Sequence, residues 1–477
     1  MSSKKVIIRS VQWTALSSVV GAAIYIIQIS VLARYLEPSD FGLMAIGMVV
    51  IGFSQSFIDF GISSTIIHKQ DITQSQLSTL YWVNVFAGAI IFVIILLLAP
   101  LIASAYGHED LKGILFWVGT TFIIRPFGQQ FFVLLQKDLQ FKVISIIELI
   151  SKIVGLGVAV GLAINGFGVN SLVFSTVIMT IVWTISFAIM GLKHYVIQFH
   201  FKILEIKEFL LFGSFQMGER AINYFSSEID TLLIGKLLGT QALGLYSIAK
   251  QLTTRPFDII NPIVTRVTFP VMAKVQDNIK SVREIYLKTI NYLSSINFPI
   301  ATVIFILAEE ITQLFLGEKW LAAVPMIRIL AVWSAIRSTS SPVGTLLMAV
   351  GRFRLAFYWN LGLFFYVPLG ITIGSQFGVM GVSWSLLIVM ISLIIPNWYF
   401  LVRPLCNARF VEYHKQILYP FLISALTIVI ASVVLTMVSG MVARIIVSGS
   451  IVLIIVISLN MWLNKQMIND LTRLSDR

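Results

Sequence analysis

The 477-residue chain is 57% hydrophobic and 12% charged, with a mean hydropathy of +0.91, a formal net charge of +12 and a single cysteine. A soluble domain carries about a quarter charged residues, so an ordinary soluble enzyme is excluded. The lone Cys406 excludes an intrachain disulfide and a Cys-rich metal site. Apolar runs of about 20 residues, each able to cross a hydrocarbon layer of about 30 Å, recur from end to end. The fold class expected is an all-α polytopic membrane protein, because the short alternating segments of a transmembrane barrel are absent.

In chain order, fourteen spans are expected, over 11–33, 41–66, 78–99, 112–135, 143–164, 170–192, 209–234, 241–269, 286–307, 323–349, 355–374, 378–402, 417–437 and 441–463. Basic residues precede the first without a small-residue cleavage site, so it reads as an uncleaved insertion signal. The connections are short. Of 34 Lys and Arg, about 21 fall on the side of the N-terminus, among them Lys4, Lys5, Arg9, Lys137, Lys142, Lys202, Arg283, Arg352 and Arg403. About five fall on the other side, namely Arg34, Lys112, Lys236, Lys319 and Arg444. This positive-inside bias places both termini in the cytoplasm, as in a bacterial inner-membrane protein. Topology therefore accounts for the basic balance, and no nucleic-acid partner is expected.

The chain repeats itself. Leu32–Ile46 and Ile234–Ile248 match at a shift of 202 residues, laying Arg34 on Lys236, Leu36 on Leu238, Gly42 on Gly244 and Leu43 on Leu245. Leu134–Leu135 matches Leu346–Leu347 at a shift of 212, and Phe167–Gly168–Val169 matches Phe377–Gly378–Val379 at 210. Three landmarks in order predict two six-helix lobes, 1–193 and 208–402, in the same membrane orientation. Residues 194–207 form a cytoplasmic linker with interfacial character, and 403–477 add helices 13 and 14 and a tail. Arg34 and Lys236 read as rim residues on equivalent corners of the lobes.

Charges inside spans are costly, about 2.5–3.5 kcal/mol each on insertion scales, and face a bundle interior or a wet cavity. Glu148 and Lys152 have the spacing of a helical ion pair, as do Arg255 and Asp258. Glu228, Asp230 and Arg266 are expected near a solvated interface, and Arg328 near the outer headgroups. Arg125, Arg220, Arg255 and Arg337 fall near mid-span, and Arg125 lands on Arg337 at the shift of 212. The planar guanidinium fork matches phosphate oxygens in pairs. These four arginines are the candidates for binding an anionic, phosphate-bearing substrate, with structural pairing as the alternative. Arg125–Pro126 and Arg255–Pro256 each add a proline, an expected helix break beside the site. Asp59, Glu219, Glu228 and Asp258 are the acids available for ion coupling. Glu309, Glu310 and Glu318 read as a surface patch.

The phrase Leu32–Leu43 resembles the first-loop signature of Wzx-type polysaccharide flippases, as do Asp230–Gly235, Leu238–Gly239, Leu243–Ser247 and Phe269–Pro270. The branch it is most similar to exports colanic and teichuronic acids, within a superfamily that also holds multidrug antiporters and the peptidoglycan-precursor flippase. The resemblance implies a flippase that moves an oligosaccharide on undecaprenyl pyrophosphate from the inner to the outer leaflet by alternating access of two lobes. In the precursor flippase helices 13 and 14 form a groove for the lipid tail, the place that 417–437 and 441–463 would take. The implied partners are the lipid-diphosphate oligosaccharide, membrane lipids, a polysaccharide polymerase and glycosyltransferases.

No cofactor is expected. There is no P-loop pattern, and no covalent chemistry is required of the protein. The competing readings are a cation-coupled multidrug exporter, which would favour acids and aromatics in its cavity, and a membrane glycosyltransferase or polymerase, which would need a large acidic outer loop.

Overall fold

A computed structural model describes residues 3–58, 66, 72–193 and 195–463, without the side chains of 3–11, 58, 207–220, 353, 453, 456–457 and 459–463. Every element among the described residues is helical, and eleven helices are long and apolar enough to cross a membrane. The chain clusters into two compact units, Met1–Gly244 and Leu245–Arg477.

The first unit contains α1 (Ser3–Tyr35), α2 (Pro38–Ile58), α3 (Gln74–Tyr106), α4 (Asp110–Gly119), α5 (Pro126–Lys137), α6 (Phe141–Ile164), α7 (Asn170–Leu192) and the first part of α8 (Lys207–Lys274). Helix α3 starts on a capping box, in which Thr73 and Gln76 satisfy each other's backbone N–H groups, and stops at Gly107 with φ 73°. Helix α6 packs against both α1 and α7, and α5 against α7. The expected fourth span follows one helical path in three segments, α4, Thr121–Ile124 and α5, because Thr120 and Arg125 at the joints keep helical angles and Pro126 opens the last segment.

The expected seventh and eighth spans meet at a kink. The stretch labelled α8 is two helices joined at Gly239, whose φ 85° and ψ 174° are not helical and are open to glycine. Pro256 does not break the second of them, contrary to the expectation from Arg255–Pro256, and the helix also passes Pro262 and Pro270. Pro256 removes one amide donor while its neighbours keep helical angles.

The linker 195–206 is strapped along the start of α3. Trp82 Nε1 donates to the Gln198 carbonyl at 3.1 Å, Gln76 Nε2 to the Glu205 carbonyl at 3.2 Å, and the Gln198 amide to Ser78 Oγ at 3.0 Å. The Tyr195 hydroxyl donates to Asp138, and burial with this carboxylate holds that hydroxyl above its ordinary pKa. Phe199 stacks on Trp82 at 5.1 Å yet stays 95% exposed. Apolar side chains thus face outward while the backbone is satisfied inward, which suits an interfacial segment.

The second unit holds the rest of α8, α9 (Ile279–Ile306), α10 (Val324–Ser340), α11 (Pro342–Ala349), α12 (Phe353–Ser375), α13 (Gly378–Ser392), α14 (Phe410–Leu435) and α15 (Met441–Leu463). Helix α9 packs against α10, α14 and α15. The last pair, α14 and α15, is fastened by an apolar cluster of Ile306, Leu307, Ala431, Leu435 and Val452 and by an ion pair of Arg444 with Glu310 at 3.0 Å. Glu310 is therefore not part of a surface patch. It is 4% exposed, because α15 brings a guanidinium over it. Arg328 lies 3.9 Å from Glu309, so it has a protein partner as well as whatever surrounds the helix.

Removing one partner of a buried ion pair strands the other charge, at a cost of about 3 kcal/mol. Glu310→Ala is expected to lower the thermal midpoint in detergent and to open the α14–α15 hairpin to protease. Glu310→Leu combined with Arg444→Met should recover most of that loss, and a double variant as unstable as Glu310→Ala alone would contradict the pairing.

Candidate functional site

In the first unit, Arg125 stands at the joint before α5, with φ −59° and ψ −39° that are still helical. Pro126 has no amide hydrogen, so the carbonyl of Phe122, four residues back, loses its helical donor. Helix α3 meets that carbonyl with Gly88: a β-carbon there would lie 2.2 Å from Phe122 O and 2.9 Å from Pro126 Cγ. Only a glycine allows the two backbones to come this near. Arg125 itself is exposed. Its guanidinium lies 4.6 Å above the ring of Trp183 on α7, and its Nε donates to Gln129 at 3.4 Å. Glu148 on α6 is within electrostatic reach of Lys152 and Arg125 and shares a hydrogen bond with Ser17. The Lys152 ammonium fills the space over Gly21 of α1. An arginine on a tryptophan face, near a carboxylate that is shared with a lysine, keeps donor capacity for a further anion.

The second unit assembles a related group. Arg337, exposed on α10, lies 5.1 Å over Trp333 one turn earlier on the same helix. Asp258 on α8 feels Arg337, Arg255 and Lys250. Arg255, Asp258 and Arg337 are all exposed.

The expected site residues thus fall into distinct places. Arg255, Asp258 and Arg337 come together in the second unit. Arg125 stands with Glu148 in the first. Glu228 accepts from Thr231 Oγ1 at 3.1 Å and lies by Tyr224. Asp59 and the side chains of Glu219 and Arg220 lie outside the described residues. Asp230 is not solvated. It is 4% exposed, and its Oδ1 accepts from the Thr231 amide at 2.8 Å, because α8 is enclosed there. Sequence reasoning missed the two tryptophans. Trp333 is four residues before Arg337 and was readable from spacing. Trp183 comes from another helix and carried no such signal.

The two copies of the repeated phrase touch. A β-carbon on Gly42 would fall 1.9 Å from the Thr240 carbonyl oxygen, and one on Gly244 would fall 1.7 Å from that of Pro38. Around this crossing, Tyr224 donates to the Met48 carbonyl at 3.3 Å, Tyr106 to that of Leu232 at 3.2 Å, and Lys236 to that of Ala105. These contacts are why the first unit extends to Gly244. Lys236 and Arg34 are exposed, in keeping with a rim position.

A family model described as polysaccharide biosynthesis protein matches residues 31–325, more than half of the chain and inclusive of both glycine copies. The chain belongs to that family. It is 30% identical over 432 residues to the lipopolysaccharide biosynthesis protein WzxC of Escherichia coli K12, covering 90% of this chain and 88% of the relative. It is 34% identical to the teichuronic acid biosynthesis protein TuaB of Bacillus subtilis 168, covering 90% and 89%. Among solved structures, the lipid II flippase MurJ in an inward closed conformation superposes with a TM-score of 0.74 at 14% identity, over 97% of this chain and 100% of that one. The Vibrio cholerae transporter VcmN superposes at 0.57 with 15% identity, over 86% and 99%. At such identities these two establish the fold. This family member is thus a multi-pass membrane transporter of the Wzx type, working in polysaccharide biosynthesis.

The glycine crossing is testable. Gly42→Ala and Gly244→Ala should each cost about 2 kcal/mol, since backbone must move to admit the new atom. Their double variant should cost clearly less than the sum, because both relieve the same contact. Gly157→Ala and Gly161→Ala, whose β-carbons meet nothing within 4 Å, are the controls and should be neutral or stabilising in thermal unfolding. Equal effects at all four sites would contradict the reading.

Proposed function

We propose that this protein flips an undecaprenyl-pyrophosphate-linked oligosaccharide from the inner to the outer leaflet of the bacterial cytoplasmic membrane. The observation that carries the proposal is the duplicated arginine. Arg125 and Arg337 occupy matching places in the two halves, and each lies exposed over a tryptophan with a carboxylate nearby. Two forked cations replace water around a diphosphate, and a cationic drug would be repelled by them. Family membership supplies the polysaccharide context.

In this reading residues 1–193 and 208–402 are the two six-helix lobes, 194–207 the cytoplasmic linker, and 403–477 the added helix pair and tail. The lobes rock so that the site faces one leaflet and then the other. Arg125, Arg255 and Arg337, with Arg220, receive the diphosphate, and the lipid tail stays in the bilayer. The protein does no covalent chemistry and is not an enzyme. Asp258 and Glu228, with Asp59 and Glu219, are the acids that would couple transport to protons or sodium. Both termini are cytoplasmic, on the side where glycosyltransferases complete the oligosaccharide, and a polymerase receives it on the other.

The test is transport in proteoliposomes holding a fluorescent lipid-diphosphate oligosaccharide. Arg125→Gln and Arg337→Gln should each slow its appearance in the opposite leaflet about tenfold, the loss expected for one charge-assisted contact. Thermal midpoints should stay near that of the unaltered protein. Full transport by the double variant would remove the arginines from the mechanism. Transport of cationic dyes instead of the lipid would favour a multidrug exporter.

A further inference from the structure

Pro342 opens α11 directly after Ser341, whose angles, φ −54° and ψ −39°, are helical. The helical path therefore continues from α10 into α11, with one donor missing. The carbonyl that loses it is that of Ser338, four residues before the proline and next in sequence to Arg337. A side chain from another helix supplies the replacement. Asn261 Nδ2 on α8 donates to Ser338 O at 3.1 Å, and Asn297 Nδ2 on α9 donates to Asn261 Oδ1 at 2.9 Å. A backbone carbonyl only accepts, so the Asn261 amide must present its nitrogen there and its oxygen to Asn297. Both asparagines are buried, at 8% and 0% exposure. Asn261 stands one turn beyond Asp258, so one face of α8 carries the carboxylate near Arg337 and the amide on Ser338.

The first unit answers the same problem differently. There the freed Phe122 carbonyl lies against the bare backbone of Gly88, with no amide side chain at the contact. The asparagine pair is thus a particular solution at one of two duplicated arginines, and it links α8 and α9 to the turn of α10 on which Arg337 stands.

We infer that Asn261 and Asn297 are positioning residues for Arg337: by holding the Ser338 carbonyl they set the direction in which the arginine is presented. This rests on the reading of Arg337 as a diphosphate contact. The clamp exists because of a proline, and so it becomes redundant when the proline goes. Pro342→Ala restores an amide that donates to Ser338 O along the helix.

The experiment is a double-mutant cycle with two readouts. In a Cys406→Ala background, the thiol introduced by Arg337→Cys is labelled with a water-soluble maleimide. Asn261→Leu should change that labelling rate about tenfold when Pro342 is present and less than twofold when Pro342→Ala is also made. In chains that keep Arg337, Asn261→Leu should slow lipid-diphosphate transport about tenfold with Pro342 and less than twofold relative to Pro342→Ala alone. Equal changes in both backgrounds, or an unaltered thiol, would overturn the clamp. If Asn261→Leu does not insert, Asn261→Ser, too short to span the contact, takes its place with the same expectations. Arg337→Gln that leaves transport intact would sink the substrate reading, while the labelling cycle would still decide the clamp.

Discussion

Two carbonyl oxygens occupy the space in which the β-carbons of Gly42 and Gly244 would stand, and much of the first unit is arranged around that crossing. Backbones this close leave room for hydrogen alone, so the phrase Leu32–Ile46 and its second copy are bound to glycine at the same point. Once the crossing is made, Tyr224, Tyr106 and Lys236 close their hydrogen bonds onto carbonyls of neighbouring segments. The contact joins backbone at the two glycines, and the same segments bury apolar side chains, among them Leu32, Leu36, Ile46, Leu243 and Tyr246. Such a close backbone approach is specific in register, as small residues make helix contacts in membranes.

The two duplicated arginines show how one sequence solution is housed twice. Each stands within a turn of a carbonyl from which a proline has removed the amide donor. Near Arg125 the vacancy is met by a glycine on α3, and near Arg337 by an asparagine from α8. Each guanidinium then rests on an indole, Trp183 from across the unit and Trp333 from its own helix. Charge inside a membrane protein is costly unless it is paired or wet. The carboxylates Glu148 and Asp258 each lie within electrostatic reach of more than one cation.

Much of this was legible in the chain itself. Hydropathy alone placed most of the helices, and the matched phrases located the duplicated corners and the arginine pair. The rest depended on partners that a linear pattern does not contain. Hydropathy places a boundary between the seventh and eighth spans but does not show that a single residue at positive φ, Gly239, makes the kink between the two helices. Arg125–Pro126 and Arg255–Pro256 read alike as helix breaks, yet in both places the backbone keeps helical angles, since a proline removes one donor without having to turn the chain. Glu310 looked like surface charge because its partner, Arg444, lies in the last helix. The linker's aromatic residues suggested an interface, but their support by Ser78 and Trp82 of α3 could only be seen in three dimensions.

The central proposal is that Arg125 and Arg337 receive the diphosphate of a lipid-linked oligosaccharide. Transport in proteoliposomes by a chain carrying both Arg125→Gln and Arg337→Gln tests it most directly. The unaltered protein should bring the lipid-diphosphate oligosaccharide to the opposite leaflet, and the double variant should do so at least about tenfold more slowly with its thermal midpoint unchanged. Transport by the double variant at the full rate would contradict the account.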